Sequence, residues 1–356
     1  MSRQIVLALD AMGGDNAPGV VIKGANIARE RYPEARFVFF GDEAKVNSIL
    51  KGMSKLRDVS EIVHTEEFIP GDMKPSLALR QSKRSSMRLA IEYLKEGKAN
   101  AVVSAGNTGA LMALSKIILG TMKGVERPAM AGYLPTERGE TVMLDLGANV
   151  ESDADNLVQF AVLGEVFSRT VLGVVRPSVG ILNVGSEDQK GHEEVREAAA
   201  QLRDTGLPID FYGFVEGSDI TLGTVDVVVT DGFSGNIAIK TAEGTAKMYG
   251  TYLRRALKSS MFSRLGYVLA KRAFNQLRDK LDPRKYNGAV FLGLDGIVVK
   301  SHGGTDAFGF ANAIGVSVDM VKHGFIDTVR HEFEELSHHL INPAEQDPKS
   351  LSAKAV

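Results

Sequence analysis

Six short loops hold most of the residues in this chain whose types could do chemistry. They run Asp10-Ala11-Met12-Gly13-Gly14-Asp15-Asn16, Ser104-Ala105-Gly106-Asn107-Thr108-Gly109, Asp145-Leu146-Gly147-Ala148-Asn149, Asn183-Val184-Gly185-Ser186-Glu187-Asp188-Gln189-Lys190-Gly191, Thr230-Asp231-Gly232-Phe233-Ser234-Gly235-Asn236 and Lys300-Ser301-His302-Gly303-Gly304-Thr305. Their glycines let backbone amides come close to a ligand, and a helix that begins in such a loop favours an anion at its N-terminus. Neutral donors are many and cations few, which suits a phosphate that must be held and still act as a nucleophile. Lys190 stands in a glycine-flanked stretch with no apolar neighbours to cover, and His302 precedes Gly303-Gly304, so both read as groups that meet a ligand. Asp10, Asp145 and Asp231 follow apolar runs, where a carboxylate either pins a neighbouring loop or touches ligand. Asn107, Asn149 and Asn236 either cap helices or donate their amides.

The commoner templates fail on spacing. Gly106-Asn107-Thr108-Gly109 lacks the leading glycine of the G-x-G-x-x-G dinucleotide fingerprint, and no G-x-x-x-x-G-K-[ST] phosphate loop occurs. Gly232-Phe233-Ser234-Gly235-Asn236 has Asn where a G-x-S-x-G nucleophile elbow needs its second Gly. His331-Glu332 is not followed by His at the metalloprotease spacing. The chain has no cysteine, which excludes disulfides, thiolate metal sites and a cysteine nucleophile. No metal or other cofactor is expected.

The elements that must position these loops are short apolar runs alternating with helical patterns. Ile5–Leu9, Phe37–Phe40, Ala99–Val103, Thr141–Leu144, Val179–Leu182, Ile209–Tyr212, Val225–Val229 and Ile297–Val299 read as buried strands, rich in β-branched residues. Val20–Arg31, Ser76–Lys95, Leu157–Leu172, Glu193–Arg203 and Asp306–Lys322 read as helices. This alternation predicts an α/β fold, a three-layer αβα sandwich around a mainly parallel mixed sheet. In such a sheet, ligands sit beyond the carboxyl ends of strands, where all six loops fall. Residues 1–341 read as a single catalytic domain of two intertwined halves, and 342–356 as a polar, disordered tail.

Charge is distributed unevenly. Between Thr251 and Lys280 stand eight basic residues and one acid, a net +7 that leaves −9 on the remainder of a chain whose total is −2. Apolar residues recur there every four positions, at Leu253, Leu257, Met261, Leu265, Leu269, Ala273 and Leu277. A strict four-residue step drifts about 40° each time around a 3.6-residue helix, so two amphipathic helices with a break near Ser259-Ser260 are expected. A basic amphipathic excursion at about 251–280 suits an anionic membrane surface, met by Leu253, Leu257, Met261, Phe262, Leu265 and Leu269. The N-terminus lacks a signal-peptide pattern and no apolar run approaches ~20 residues, so a cytoplasmic location is expected. Nucleic-acid binding is disfavoured, because the basic residues carry no reader motif.

In order, LALDAMGGDNAP, VSAGNTGALM, MLDLGANV, LNVGSEDQKG, VVVTDGFSGN and NGAVFLGLDGIVVKSHGG resemble hallmarks of the bacterial phosphate acyltransferases of glycerolipid synthesis, the PlsX family, across residues 7–304. The resemblance implies conversion of acyl-[acyl carrier protein] and inorganic phosphate into acyl phosphate and free carrier protein. It implies a homodimer, a fold like the isocitrate and isopropylmalate dehydrogenases and phosphotransacetylase, peripheral association with the inner face of the cell membrane, and hand-off to a membrane glycerol-3-phosphate acyltransferase. With that chemistry, Lys190 and His302 would orient phosphate and Asp231 would position one of them. Amides after Gly106 and the side chain of Asn107 or Asn236 would hold the oxyanion. Asp10, Asn16, Ser104, Thr108, Asn149, Asn183 and Ser234 would line the substrate site. A phosphotransacetylase-like enzyme acting on acyl-coenzyme A is the alternative. A nicotinamide dehydrogenase and a non-catalytic membrane adaptor are further rivals, and the second would have no use for six polar loops.

Overall fold

The computed structural model of the chain describes residues 4–204 and 209–341, so the expected tail at 342–356 lies outside the described residues. Eleven strands form one sheet among them. They are β1 (Ile5–Asp10), β2 (Ala35–Gly41), β3 (Ser60–His64), β4 (Ala101–Ser104), β5 (Ala129–Pro135), β6 (Glu140–Leu144), β7 (Ser178–Leu182), β8 (Asp210–Val215), β9 (Val227–Val229), β10 (Ala289–Leu292) and β11 (Ile297–Lys300). Their order is β3-β2-β1-β4-β11-β10-β5-β6-β9-β7-β8.

Period-2 alternation divides the strand residues between two faces. Leu7, Leu9, Phe37, Phe39, Ala101, Val103, Ile297 and Val299 feed one core, which the helices Gly19–Arg31 and Ala307–Lys322 cover. Ala8, Val38, Phe40, Val102 and Val298 point to the opposite face, under Ser86–Lys95 and Thr108–Ile118. The first core continues across the sheet through Val142, Leu144, Val227 and Val229 to the buried helix Ala154–Phe167. Strands covered on both faces explain the near-continuous apolar runs, and the expected three-layer α/β architecture is found.

Several elements differ from expectation. Strands β3, β5 and β10 carry no clear run of β-branched residues and were not expected. The helix expected over Ser76–Lys95 is two helices, Pro75–Gln81 and Ser86–Lys95, because Ser85 caps the second by accepting from the Arg88 amide at 3.4 Å. Leu157–Leu172 is an α-helix to Phe167 and then a π-turn, closed by Gly173 at φ 72°.

The two missed central strands set direction. β10 runs antiparallel to both β11 and β5, and β5 antiparallel to β6. Beyond this seam all neighbours are parallel again. The strands β6, β9, β7 and β8 therefore point opposite to β1, β2, β3, β4 and β11.

The basic segment projects as an arm of three helices rather than two. A long helix, Gly232–Lys258, stops at the expected break, and Ser260 caps Met261–Leu269 through the Ser263 amide. A further break at Ala270 starts Lys271–Lys280. Neither of the two short helices buries a residue. Met261, Phe262, Leu265 and Leu269 are exposed, Phe262 by 88%. Leu253 and Leu257 are half-buried. No helix among the described residues is long and apolar enough to cross a membrane.

Candidate active site

The six loops gather at two places, not one. At the first edge, β1, β4 and β11 end side by side. The Asp10 carboxylate is wholly buried there and accepts from Ser86 Oγ at 2.6 Å and Ser104 Oγ at 2.7 Å. Ser104 Oγ in turn accepts from the Gly106 amide at 3.0 Å. A side chain at Gly13 would strike the Asp10 carboxylate and the Gly106 amide, so the β1 and β4 loops meet only because position 13 is glycine. Asn107 donates its amide to the carbonyls of Gly71 and Met73 and caps Thr108–Ile118 through the Ala110 N–H at 2.9 Å. Its side chain is thus occupied as a cap and a loop tie, and does not stand free as an oxyanion donor. His302 is exposed. Its backbone N–H donates to Asn287 Oδ1, and its Nδ1 accepts from the Gly304 amide at 3.2 Å. Asn16 and Thr108 are exposed at the same edge.

At the second edge, β6, β9 and β7 end. Asp145 is buried and accepts five bonds from its surroundings. Oδ1 takes the amides of Met130, Gly147 and Ala148, and Oδ2 takes the amide and side chain of Asn149, at 2.7–3.1 Å. The first turn of Gly232–Lys258 lies directly against this loop. A side chain at Gly232 would strike the Asn149 carbonyl, and one at Gly235 the Asp145 carbonyl. Asp231 caps that helix through the Ser234 amide at 2.8 Å. Asn236 is exposed on the first turn, next to Gly147. Asn183 bonds the Lys190 carbonyl and the Val184 amide, holding the β7 loop closed. Lys190 lies half-exposed, paired with Glu187 at 2.8 Å.

The expected catalytic set is therefore divided within one chain. Asn236, Asp231 and Lys190 share the second edge, and His302 stands at the first. β11 and β9 are four strands apart, about 19 Å at ~4.8 Å per strand, and end at opposite edges. Among the described residues no hydrogen bond or ion pair in the structure joins the two. Asp231, expected to position Lys190 or His302, uses Oδ1 to cap its own helix and makes no bond to either among the described residues. Asp10, Ser104, Asn149 and Asn183 organise loops, while on the first turns of the long helix Asn236 is exposed and Ser234 half-buried.

Electrostatics reveal one residue that the sequence reading passed over. Lys300, the last residue of β11, is 8% exposed; its Nζ donates to the Ser301 carbonyl. Burial pulls its pKa down to about 8, against the opposing pull of Asp10 and Asp15. Burial also pushes the Asp10 and Asp145 carboxyls up, and their hydrogen bonds partly offset this. The Glu187 carboxylate holds Lys190 above its ordinary value. The signal for Lys300 was a lysine directly continuing the run Ile297–Val299, which read as the first residue of the loop. Asn287, also passed over, holds the His302 loop by donating to Ser301 Oγ and the Gly309 carbonyl.

A family model described as "Fatty acid synthesis protein" matches residues 5–328. The chain is 59% identical over 356 residues to a phosphate acyltransferase of Rhodospirillum centenum, covering 100% of both. It is 56% identical over 353 residues to a phosphate acyltransferase of Paramagnetospirillum magneticum, covering 99% of each. Among solved structures it resembles a phosphotransacetylase from Streptococcus pyogenes, with TM-score 0.62 and 15% identity over 90% of this chain and 95% of that one. It also resembles the EutD phosphotransacetylase from Staphylococcus aureus, with TM-score 0.56 and 16% identity over 89% and 94%. At such identities these two likenesses concern the fold alone.

Two outcomes follow from this geometry. Gly235→Ala will push the long helix off the Asp145 loop and lower the unfolding midpoint, whereas Gly250→Ala, whose added methyl meets nothing within 4 Å, will hold or gain up to ~1 kcal/mol through helix propensity. Equal midpoints for the two variants would show that the close approach is not needed. Because the folded Lys300 pKa lies below its ordinary 10.5, the unfolded chain binds more protons between about 8 and 10.5. Stability from this group thus rises with pH through that window. Urea midpoints at pH 7.5 and 9.5 will show the rise in the parent and lose it in Lys300→Met; identical slopes would refute the assignment.

Proposed function

The chain belongs to the fatty acid synthesis protein family in which these phosphate acyltransferases fall, and on that premise we propose that it transfers an acyl group from the thioester of acyl carrier protein to inorganic phosphate. It is an acyltransferase. The observation that carries this reading is 59% identity along the full length of a phosphate acyltransferase. The phosphotransacetylase-like alternative, with acyl-coenzyme A as donor, has support from the fold only.

We place the reaction at the Asn236 edge. A phosphate oxygen attacks the thioester carbon, the carbon–sulfur bond breaks, and the proton of hydrogen phosphate ends on the departing carrier thiol. Holding both reactants in near-attack geometry supplies much of the rate. Lys190, released from Glu187 toward phosphate, and the N-terminus of Gly232–Lys258 neutralise the anion. The Asn236 amide donates to the developing oxyanion. His302 stays outside this arrangement within one chain. The finer assignments rest on the family resemblance and the arm: a homodimer, a cytoplasmic enzyme held peripherally at the inner membrane face, and delivery of acyl phosphate to a membrane glycerol-3-phosphate acyltransferase. Each basic residue near an anionic surface contributes ~1 kcal/mol, so several suffice for reversible binding.

Palmitoyl-carrier protein with labelled phosphate will yield acid-labile acyl phosphate, and faster than palmitoyl-coenzyme A; the reverse preference favours the alternative. Lys190→Ala will lower turnover ~10²-fold, and Asn236→Ala will lower kcat more than it raises the phosphate KM. A pure KM effect at Asn236 would make it a ground-state contact. Replacing Leu257, Leu265 and Leu269 together by Ser will leave a folded enzyme, active on soluble substrate, that no longer sediments with anionic vesicles. Unfolding would instead assign those leucines to packing.

A further inference from the structure

Residues 74–88 include Lys74, Arg80, Lys83, Arg84 and Arg88 and no acid, a net +5. Arg88 is half-buried and pairs with Glu92 at 2.7 Å. Lys74, Arg80, Lys83 and Arg84 are exposed, and among the described residues their side chains make no ion pair or hydrogen bond. Like charges so close repel one another, and nothing in the fold offsets that cost. The backbone that presents them is firmly held. Asn107 donates to the carbonyls of Gly71 and Met73, and a side chain at Gly109 would strike Pro75. The Thr65 hydroxyl donates to the Arg84 carbonyl at 2.6 Å, and Ser86 Oγ donates to Asp10. Four unpaired cations therefore stand on a backbone fastened to the first polar edge.

From these unpaired charges we infer that Lys74, Arg80, Lys83 and Arg84 form the docking surface for an acidic protein that carries the acyl thioester. The inference rests on the acyl-transfer reading above and names the surface that receives its donor. Charge complementarity selects this occupant. A membrane surface calls for an apolar face beside the charge. Leu77 is the only large apolar side chain exposed between residues 74 and 84, whereas the arm exposes Met261, Phe262, Leu265 and Leu269. A small anion calls for donors that converge on one point, and these cations are spread along Pro75–Gln81 and the turns on either side of it. The position also suits a donor. Ala78, Ala110 and Leu111 pack in one core, Ala238 and Ile239 pack against the next, and Met130 of β5 packs against both. Pro75–Gln81, Thr108–Ile118 and the start of Gly232–Lys258 thus cover the same face of the sheet. A carrier seated on the four cations shares that face with the helix that bears Asn236.

The test measures kcat/KM at low and high salt for palmitoyl-carrier protein and for palmitoyl-pantetheine, a donor without the protein. It compares the parent with a variant carrying Arg80→Glu, Lys83→Glu and Arg84→Glu together, and follows binding of labelled unacylated carrier by fluorescence anisotropy. Charges at the rim of an interface act on association rate and its salt dependence. The reversal will therefore lower kcat/KM on palmitoyl-carrier protein at least ~10-fold at low salt, through KM, and weaken carrier binding to match. Transfer from palmitoyl-pantetheine will be unchanged, and the parent's advantage will shrink at high salt. The milder set Arg80→Gln, Lys83→Gln and Arg84→Gln will show the same pattern with a smaller loss, and it carries the test if circular dichroism finds the reversed protein unfolded. Unchanged carrier kinetics in a folded variant, or equal losses on both donors, would overturn the docking surface. So would a loss confined to sedimentation with phosphatidylglycerol vesicles, or an equal loss on the carrier from Lys271→Glu with Arg272→Glu on the arm. If the parent forms no acyl phosphate from either donor, the acyl-transfer reading itself fails, and carrier binding alone then decides the surface.

Discussion

Three successive antiparallel pairings in the middle of the sheet, β11 with β10, β10 with β5 and β5 with β6, reverse the strand direction, and the placement of every polar loop depends on that reversal. A parallel strand presents its following loop at its carboxyl end. If all strands ran one way, the six loops would share an edge and their side chains a single site. Here the antiparallel pairing of β10 with β5 joins two parallel halves head to tail. Each half therefore builds its own polar edge, and among the described residues the polar loop side chains of one edge do not bond those of the other. This separates His302 from Asn236 although both lie in loops of the same composition.

Each edge solves the same local problem in the same way. A loop that must bring backbone amides close to a ligand has few internal partners for them, and a buried unsatisfied amide is costly. Asp145 satisfies four amides and a side chain from one strand-end carboxylate. Asp10 does the equivalent with two serine hydroxyls and the Met12 amide. Burial alone would neutralise such carboxyls, and the donors around them oppose that shift. Both aspartates are thus internal to the loops, and the glycines beside them let neighbouring backbone close in. What is exposed at the second edge is the next layer: Asn236 and the Lys190–Glu187 pair.

The parts legible in the sequence were those with a one-dimensional signature. The β-branched runs at Val225–Val229 and Ile297–Val299 announced central strands, and the excess of basic residues between Thr251 and Lys280 announced a separate arm. The four-residue apolar step, too wide for one straight helix, marked a break near Ser259-Ser260, where the structure has Ser260 capping the next helix. By contrast, Ala129–Pro135 contains Gly and ends in Pro, and Ala289–Leu292 is four residues long, so neither stands out against loop background. Yet these two strands decide direction, a non-local property. Missing them left the loops grouped by composition rather than by edge. The individual asparagines were ambiguous for a similar reason: Asn107 and Asn236 have like neighbours, and only the carbonyls of Gly71 and Met73, far along the chain, make Asn107 a tie and leave Asn236 free.

The long helix Gly232–Lys258 then acquires its significance from what it lacks. Of its 27 residues only Gly232 and Gly235 are buried, so tertiary packing fixes its first turns and little beyond. Helix propensity holds an exposed helix only marginally, and the 9- and 10-residue helices that follow are shorter than is stable alone. They brace one another through contacts such as Tyr267 with Phe274, whose rings lie 5.5 Å apart. An arm so built keeps its apolar side chains outward, and no described residue covers them. Since its first turns also carry Asn236, whatever meets the outward face meets an element that begins at the second polar edge. The two-glycine contact with the Asp145 loop is the joint between them: it fixes the helix axis relative to the sheet, and through it the direction in which the arm leaves the site.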